Sequence, residues 1–339
     1  NKVEVLISAS KDYSVIIKDD LSCLKEHVKS LSGEKVAIIM DSNVFALYDG
    51  VLDDAFFGKE IYRYEFKSGE DSKNAENYIN ILNFLAEKGF KRKDTIVAFG
   101  GGVVGDLAGF VAGTYMRGIN LIMIPTTLLS MVDSSVGGKT AINLKSGKNL
   151  AGVFNQPSLV YISLAFLKTL PKREILSGMG EVIKYAFIGD TISYDDIKNG
   201  INKELIYKCV QIKAEIVSKD ERESGERKLL NLGHTVGHAI EKAGNYLISH
   251  GECVLLGIKK AIKISQIVNG LTDENAKKAE ELLELSGSKL SISFDKNELF
   301  TFIKSDKKGQ GEKVDFVLLN NKLKSEIKSL NLKDIYDLL

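Results

Sequence analysis

Residues 96–113 read I-V-A-F-G-G-G-V-V-G-D-L-A-G-F-V-A-G: an apolar run, three glycines, then a second apolar run with helical spacing. Strand, glycine turn and helix in that order form the unit from which parallel α/β sheets are assembled. Gly100, Gly102 and Gly105 fit G-x-G-x-x-G, whose glycines let a backbone approach a pyrophosphate at a helix N-terminus. A tight turn with close helix packing would use the same glycines. The loop lies about a hundred residues into the chain, and no acidic residue near position 120 is placed to take a ribose. Asp41, at the end of the apolar run 35–40 and next to Asn43, suits that role. Thr126 and Thr127, in I-P-T-T, bring hydroxyls to another strand end, and S-G-E-D-S-K (68–73) is a further polar loop after a strand.

Working outward, β-branched runs at 3–8, 15–17, 35–40, 61–66, 95–99 and 120–124 predict strands. Helical patterns at 21–31, 74–87, 103–115 and 127–133 alternate with them. That alternation predicts a mostly parallel, Rossmann-like sheet with helices on both faces. After Pro157 and Pro171 the texture turns helical, with periods over 172–187, 203–218, 228–242, 254–268 and 273–285, a short strand signal at 315–319 and a closing helix at 332–339. The expectation is an α/β domain over 1–155 and an all-α domain over 156–339, with a cleft between them as the default site.

Three of the four histidines, His234, His238 and His250, fall within R-K-L-L-N-L-G-H-T-V-G-H-A-I-E and the H-G-E that follows. His234 and His238, four apart, share a helix face. Neutral imidazoles make good metal ligands, and Gly233, Gly237, Ala239 and Gly251 leave room beside these. No Glu follows His234, which excludes a zincin H-E-x-x-H site. Glu181, in G-M-G-E-V-I-K, is the carboxylate to add to His234 and His250; two imidazoles and one carboxylate leave positions open for a substrate oxygen. An i,i+3 pair of Glu181 with Lys184 on a solvated face is the plainer alternative.

Residues 133–152 gather Asp133, Lys139, Asn143, Lys148 and Asn149 among glycines, which suits a phosphorylated ligand or a solvated loop equally. G-G-K-T there is not a P-loop, because the first glycine of that frame would fall on Asp133. The chain has 339 residues and a net charge of +1, which gives no case for a nucleic-acid or membrane-surface partner. Cys23, Cys209 and Cys253 are far apart and form no C-x-x-C, which points to a reducing compartment. No apolar run approaches the ~20 residues of a membrane span, and N-K-V-E-V-L-I reads as a strand and not as a signal peptide. A soluble cytoplasmic protein is expected.

Several blocks together resemble the 3-dehydroquinate synthases of the shikimate pathway and aromatic amino acid biosynthesis, members of the sugar-phosphate cyclase superfamily. They are G-G-G-V-V-G-D-L-A-G-F-V-A, P-T-T-L-L-S-M-V-D-S-S-V-G-G-K-T, G-K-N-L-A-G-V-F, F-L-K-T-L-P, G-M-G-E-V-I-K and L-N-L-G-H-T-V-G-H-A-I-E, covering about 68 to 310 in the family's order. The resemblance implies an N-terminal NAD-binding α/β domain and a C-terminal helical metal domain. It makes Glu181, His234 and His250 the ligands of zinc or cobalt. NAD would be held by Asp41, Asn43, Ser68, Gly69, Glu70, Asp71, Ser72, Lys73, Gly101, Gly102, Val103, Val104, Gly105, Asp106, Thr126, Thr127, Lys139, Lys148, Phe166, Leu167, Lys168 and Thr169. The substrate, 3-deoxy-arabino-heptulosonate 7-phosphate, would meet Asp133, Lys139, Asn149, Lys184, Lys213, Glu223, Arg227, Asn231 and His238, with His238 as a proton shuttle. Arg117 matches a phosphate contact supplied across a homodimer, and Lys307 or Lys308 matches another.

The reaction so implied is a lyase cycle: transient oxidation by NAD, β-elimination of phosphate, re-reduction, ring opening and intramolecular aldol closure to 3-dehydroquinate. Rival readings are an inosose- or valiolone-type cyclase, which would differ at the residues holding the substrate carboxylate, and a metal-dependent polyol dehydrogenase, which would release NADH. A non-enzymatic nucleotide-binding protein would bind NAD without need of a metal.

Overall fold

The computed structural model describes residues 3–292, 294–306 and 313–339. In chain order its elements begin β1 (Val3–Ile7), β2 (Tyr13–Lys18), α1 (Leu24–Val28), β3 (Lys35–Asp41), α2 (Ser42–Tyr48), β4 (Glu60–Phe66), α3 (Ala75–Glu87), β5 (Thr95–Gly100) and α4 (Gly102–Thr114). They continue β6 (Asn120–Pro125), β7 (Lys139–Leu144), β8 (Gly147–Phe154), β9 (Leu159–Ser163), α5 (Lys172–Ile188), α6 (Tyr194–Lys198), α7 (Lys203–Lys219) and α8 (His234–Ala243). The last are α9 (His250–Val268), α10 (Asp273–Glu284), α11 (Lys296–Asp306), β10 (Lys313–Leu319), β11 (Ser325–Asn331) and α12 (Leu332–Leu338).

The first compact unit takes the chain to Leu170 and adds Asn202–Glu221. Its seven-stranded sheet has the order β1-β2-β9-β6-β5-β3-β4, parallel throughout except for the β1–β2 edge. Every residue of β5 and β9 is buried, as befits central parallel strands covered on both faces. The sheet therefore runs past the expected boundary at 155, because L-V-Y-I-S of β9 pairs between β2 and β6. Helix α7, expected among the C-terminal helices, buries Leu205, Ile206, Cys209, Val210 and Val217 and packs on β1 and β2.

The polar block, read as suiting a phosphorylated ligand or a solvated loop, contains an antiparallel hairpin, β7–β8. It lies on α4 because that helix offers glycines there: a Cβ at Gly109 would stand 2.4 Å from Thr140 Cγ2, and one at Gly113 2.7 Å from Val153 Cγ2. Stretch 127–133, expected as a helix, is helical from 128 and widens into a π-helix over Ser130–Ser134.

The second unit comprises Pro171–Ile201 and Arg222–Leu339. It is mostly helical but not all-α, since β10 and β11 pair antiparallel from Lys313↔Asn331 to Leu319↔Ser325. Glycines set its helix crossings. Cβ atoms at Gly180 and Gly251 would meet the carbonyl oxygens of Gly251 and Ser177 at 2.4 and 1.7 Å, so α5 and α9 touch backbone to backbone. Gly257 stands likewise 1.9 Å from the Gly233 carbonyl, and Gly237 2.8 Å from that of Cys253, drawing α8 onto α9.

Candidate functional site

Those crossings bring three donors together in the second unit. Gly233, in the left-handed region at φ 78°, turns the chain into α8 so that His234 is its first residue. A reciprocal cap between Ser249 and Glu252 starts α9 at His250. Glu181, 1% exposed, projects from α5. Its Oε1 lies 3.5 Å from His234 Nε2 and 3.3 Å from His250 Nε2, and one donor atom from each of the three residues falls within 4.8 Å of the others. The far side of each ring faces an acceptor: His234 Nδ1 is 3.1 Å from the Leu232 carbonyl, and His250 Nδ1 is 3.5 Å from Glu241 Oε2. With a cation bound, an Nδ1–H held by an oxygen would leave Nε2 as the lone pair directed at the shared centre, the usual outer arrangement around such an ion.

Lys184, one turn along α5, forms an ion pair with Glu181, yet neither carboxylate oxygen has a donor in hydrogen-bonding geometry among the described residues. A buried carboxylate in that state is costly, and a divalent cation would offset the cost. Burial pushes the Glu181 carboxyl up, but Lys184 and the two imidazoles outweigh it and hold the group well below the usual carboxylate range. Burial pulls His250 down, while Glu181 and Glu241 raise it to about 10. The donor set fits a divalent ion.

Other residues expected at the site line the same unit. Lys184 and Arg227 are both 1% exposed. Asn231 Nδ2 donates to Glu223 Oε1 at 2.8 Å, with Glu223 at φ 61°. His238 stands beside the donor set and not in it, its ring centroid 5.4 Å from that of His234 and 5.9 Å from that of His250. Lys307 and Lys308 lie outside the described residues.

In the first unit, α4 starts after the N-cap Gly101 with no side-chain cap, so its first amide N–H groups take no capping side chain, the condition under which a helix N-terminus can receive an anion. A Cβ at Gly101 would approach Thr127 Cγ2 to 3.0 Å, and one at Gly102 the Ser134 hydroxyl to 3.2 Å, so a side chain at either would make Thr127 or Ser134 give way by a few tenths of an ångström. Ser134 Oγ is buried without a hydrogen-bond partner among the described residues. Val103, Val104, Gly105 and Asp106 form the following turn. Thr126 N–H donates to the Gly100 carbonyl at 3.0 Å, and Thr127 Oγ1 accepts from Ser130 N–H at 3.2 Å. Asp41 ends β3 and caps α2, accepting from Asn43 and Val44 N–H at 2.9 and 3.0 Å. That cap is a structural use of the carboxylate expected to meet a ribose.

The 68–73 loop turns at Gly69 (φ 118°) and follows Ser68, whose N–H donates to Ser42 Oγ at 3.1 Å. Its turn Glu70–Ser72 includes Asp71 and ends at the buried Lys73. The Lys73 ammonium bonds Asp106 Oδ2 at 3.0 Å and Glu70 Oε1 at 3.1 Å. Burial pulls that ammonium down, but the two carboxylates outweigh it and raise it; at Asp106 the balance is reversed, burial outweighing Lys73 and pushing the carboxyl up. Lys213 reaches Asp133 Oδ1 at 3.0 Å and its carbonyl at 2.6 Å. Lys139 and Asn149 are exposed and Lys148 half-buried on the hairpin. Phe166 packs edge-on to Tyr48 within the turn Leu164–Lys168, which holds Leu167 and Lys168; the Thr169 hydroxyl meets that of Tyr48. Arg117 is exposed on a turn where Met116, Arg117 and Gly118 all have positive φ. Glu241, behind His250, was not singled out in the sequence; its position seven residues after His234 on one helix face was the available signal.

Among the described residues no helix is long and apolar enough to cross a membrane. The N-terminal domain of 3-dehydroquinate synthase matches residues 63–177 and its C-terminal domain residues 178–309. The 3-dehydroquinate synthase of Alkaliphilus metalliredigens is 39% identical over 333 residues, 95% of this chain and 93% of that one. A crystal structure of 2-deoxy-scyllo-inosose synthase, complexed with carbaglucose-6-phosphate, NAD+ and Co2+, superposes with a TM-score of 0.90 at 27% identity, covering 99% of this chain and 98% of that one. The 2-epi-5-epi-valiolone synthase of Streptomyces hygroscopicus subsp. jinggangensis, with NAD+ and Zn2+, shares the fold at a TM-score of 0.86 and 22% identity, covering 98% and 97%.

Proposed function

The chain belongs to the 3-dehydroquinate synthase family and is an enzyme of that type, and on that premise we propose that Glu181, His234 and His250 hold one divalent ion, zinc or cobalt. The observation that carries this is the convergence of two Nε2 atoms on a buried carboxylate oxygen that has no donor of its own. NAD lies along the uncapped α4 N-terminus and the 68–73 loop, where Gly101 and Gly102 sit close against Thr127 and Ser134. Asp41, Asn43, Thr126, Thr127, Lys139, Lys148 and the 166–169 turn complete its contacts. The sheet-bearing first unit is thus the cofactor domain and the helical second unit the metal domain. A structural neighbour carrying NAD+ and Co2+, and another carrying NAD+ and Zn2+, support both assignments.

When bound, the dinucleotide supplies a reversible hydride acceptor and the ion supplies Lewis acidity. The chain's own residues bind and orient. Lys139, Asn149, Lys213, Asp133, Lys184, Arg227, Asn231 and Glu223 are the residues that take the substrate's carboxylate, phosphate and hydroxyls. The ion pair of Lys213 with Asp133 and the hydrogen bond of Asn231 with Glu223 fix those side chains before substrate arrives. His238, beside the metal donors and not engaged as one, moves the proton. Arg117, exposed on its strained turn, reaches the phosphate of a second copy in a homodimer.

The test is phosphate release from 3-deoxy-arabino-heptulosonate 7-phosphate at sub-stoichiometric NAD. Many turnovers per NAD, lost on chelation and restored by zinc or cobalt, are expected. No release from metal-loaded protein would overturn the assignment and move attention to inosose-type substrates.

A further inference from the structure

Asn143, on β7, makes three bonds that tie together segments read separately above. Its Nδ2 donates to Glu70 Oε1 at 2.7 Å, its backbone N–H donates to the Lys73 carbonyl at 2.8 Å, and its Oδ1 accepts from the Asn149 N–H at 2.9 Å. Glu70 also takes the Lys73 ammonium, which reaches Asp106 on α4. A continuous run of bonds therefore leads from the first turns of α4, through the 68–73 loop, to the start of β8, which carries Lys148 and Asn149.

Asn149 sits at φ 56°, in the left-handed region that side chains seldom adopt, and it is exposed. Asparagine tolerates that conformation better than most residues, and the acceptor on Asn143 ties the Asn149 N–H in it at 2.9 Å. We propose that Asn143 is a positioning residue that couples the two ligand sites of this unit, so that dinucleotide binding orders the Asn149 end of β8 and sugar-phosphate binding at Asn149 orders the dinucleotide loop. The proposal rests on the cofactor and substrate assignments made above. A ligand that fixes the shared run removes the ordering cost for the second ligand, which is positive coupling, and linkage makes it reciprocal. A side chain that merely pinned the hairpin would add stability and no coupling.

The test uses the metal-loaded enzyme and NADH fluorescence. NADH cannot accept the hydride that the first step requires, so its complex with 3-deoxy-arabino-heptulosonate 7-phosphate does not turn over. The NADH Kd is measured with and without that substrate in the native protein, in Asn143→Ala and in Asn143→Asp. The aspartate keeps an acceptor for Asn149 N–H but sets a carboxylate against Glu70, cutting the cofactor side alone, and it carries the test if the alanine variant does not fold. Substrate is expected to tighten NADH binding by about fivefold or more in the native protein, with the ratio falling to near one in either folded variant. A native ratio of one, or a ratio unchanged by Asn143→Asp, overturns the proposal while leaving the cofactor site standing. Failure of the native protein to bind NADH at all would sink the cofactor assignment and the proposal together.

Discussion

On α4 of the first unit, Gly109 and Gly113 face side chains, Thr140 and Val153, that can rotate; on α5 and α9 of the second, Gly180, Gly251 and Gly257 face carbonyl oxygens that cannot. The charges differ in the same sense. Lys73 lies between Glu70 and Asp106, and Lys213 against Asp133, so the first unit settles its buried cations within its own chain. In the second unit the buried Lys184 pairs with Glu181 through Oε2, but Glu181 Oε1 faces two imidazole nitrogens and takes no hydrogen bond among the described residues. On the proposed assignments, the cofactor loop assembles from its own residues, while the backbone-to-backbone helix crossing presents a donor set to which a cation can be added.

Replacing Glu181 by Gln should have the largest effect on this contrast. The amide keeps the shape and removes the charge, so the protein should purify without stoichiometric metal. Phosphate release should fall by at least roughly a thousandfold, since Lewis-acid stabilisation is worth several kcal/mol. Full metal content in that variant, by elemental analysis, would break the account of the second unit.

Next in size is a pair of alanine substitutions. Gly251→Ala places a Cβ 1.7 Å from the Ser177 carbonyl, and Gly109→Ala places one 2.4 Å from Thr140 Cγ2. The first should cost about 3 kcal/mol or more in urea unfolding and weaken metal binding; the second should cost about 1 kcal/mol, because a side chain can yield. Equal costs would erase the distinction between the two crossings.

The smallest effect concerns alkaline pH. Although burial pulls Lys73 down, Asp106 and Glu70 raise it above its ordinary 10.5. Its contribution is therefore complete below about 10.5 and lost as pH rises through the higher folded value. Lys73→Met should be less stable than the native protein at pH 8, and the gap in Tm should narrow towards pH 11. A gap independent of pH would remove the ion pair from the account.

Much of this was legible in the sequence. The glycine run 100–105 and the apolar strands around it gave the parallel sheet, and the density of histidines after position 233 gave two of the three converging donors, with Glu181 added as the carboxylate they lacked. What escaped did so for physical reasons. K-T-A-I-N-L and G-K-N-L-A-G-V-F make a hairpin only because α4 presents glycines beneath it, a tertiary effect that local propensity does not carry. In S-E-I-K-S-L-N of β11 apolar side chains are sparse, and it pairs because β10 offers it a partner. The apolar face of α7 predicts burial but not which core receives it. The acceptors behind the histidines, Leu232 and Glu241, depend on helix geometry that no motif states.

His238, Glu241 and His250 also bring ligand atoms within 4.8 Å of one another, which makes them a rival donor set sharing one histidine with the first. An anomalous difference map from crystals of the cobalt-loaded protein, recorded at the cobalt edge, separates the two. One peak bounded by Glu181 Oε1, His234 Nε2 and His250 Nε2 is the predicted result; a peak among His238, Glu241 and His250 would contradict it.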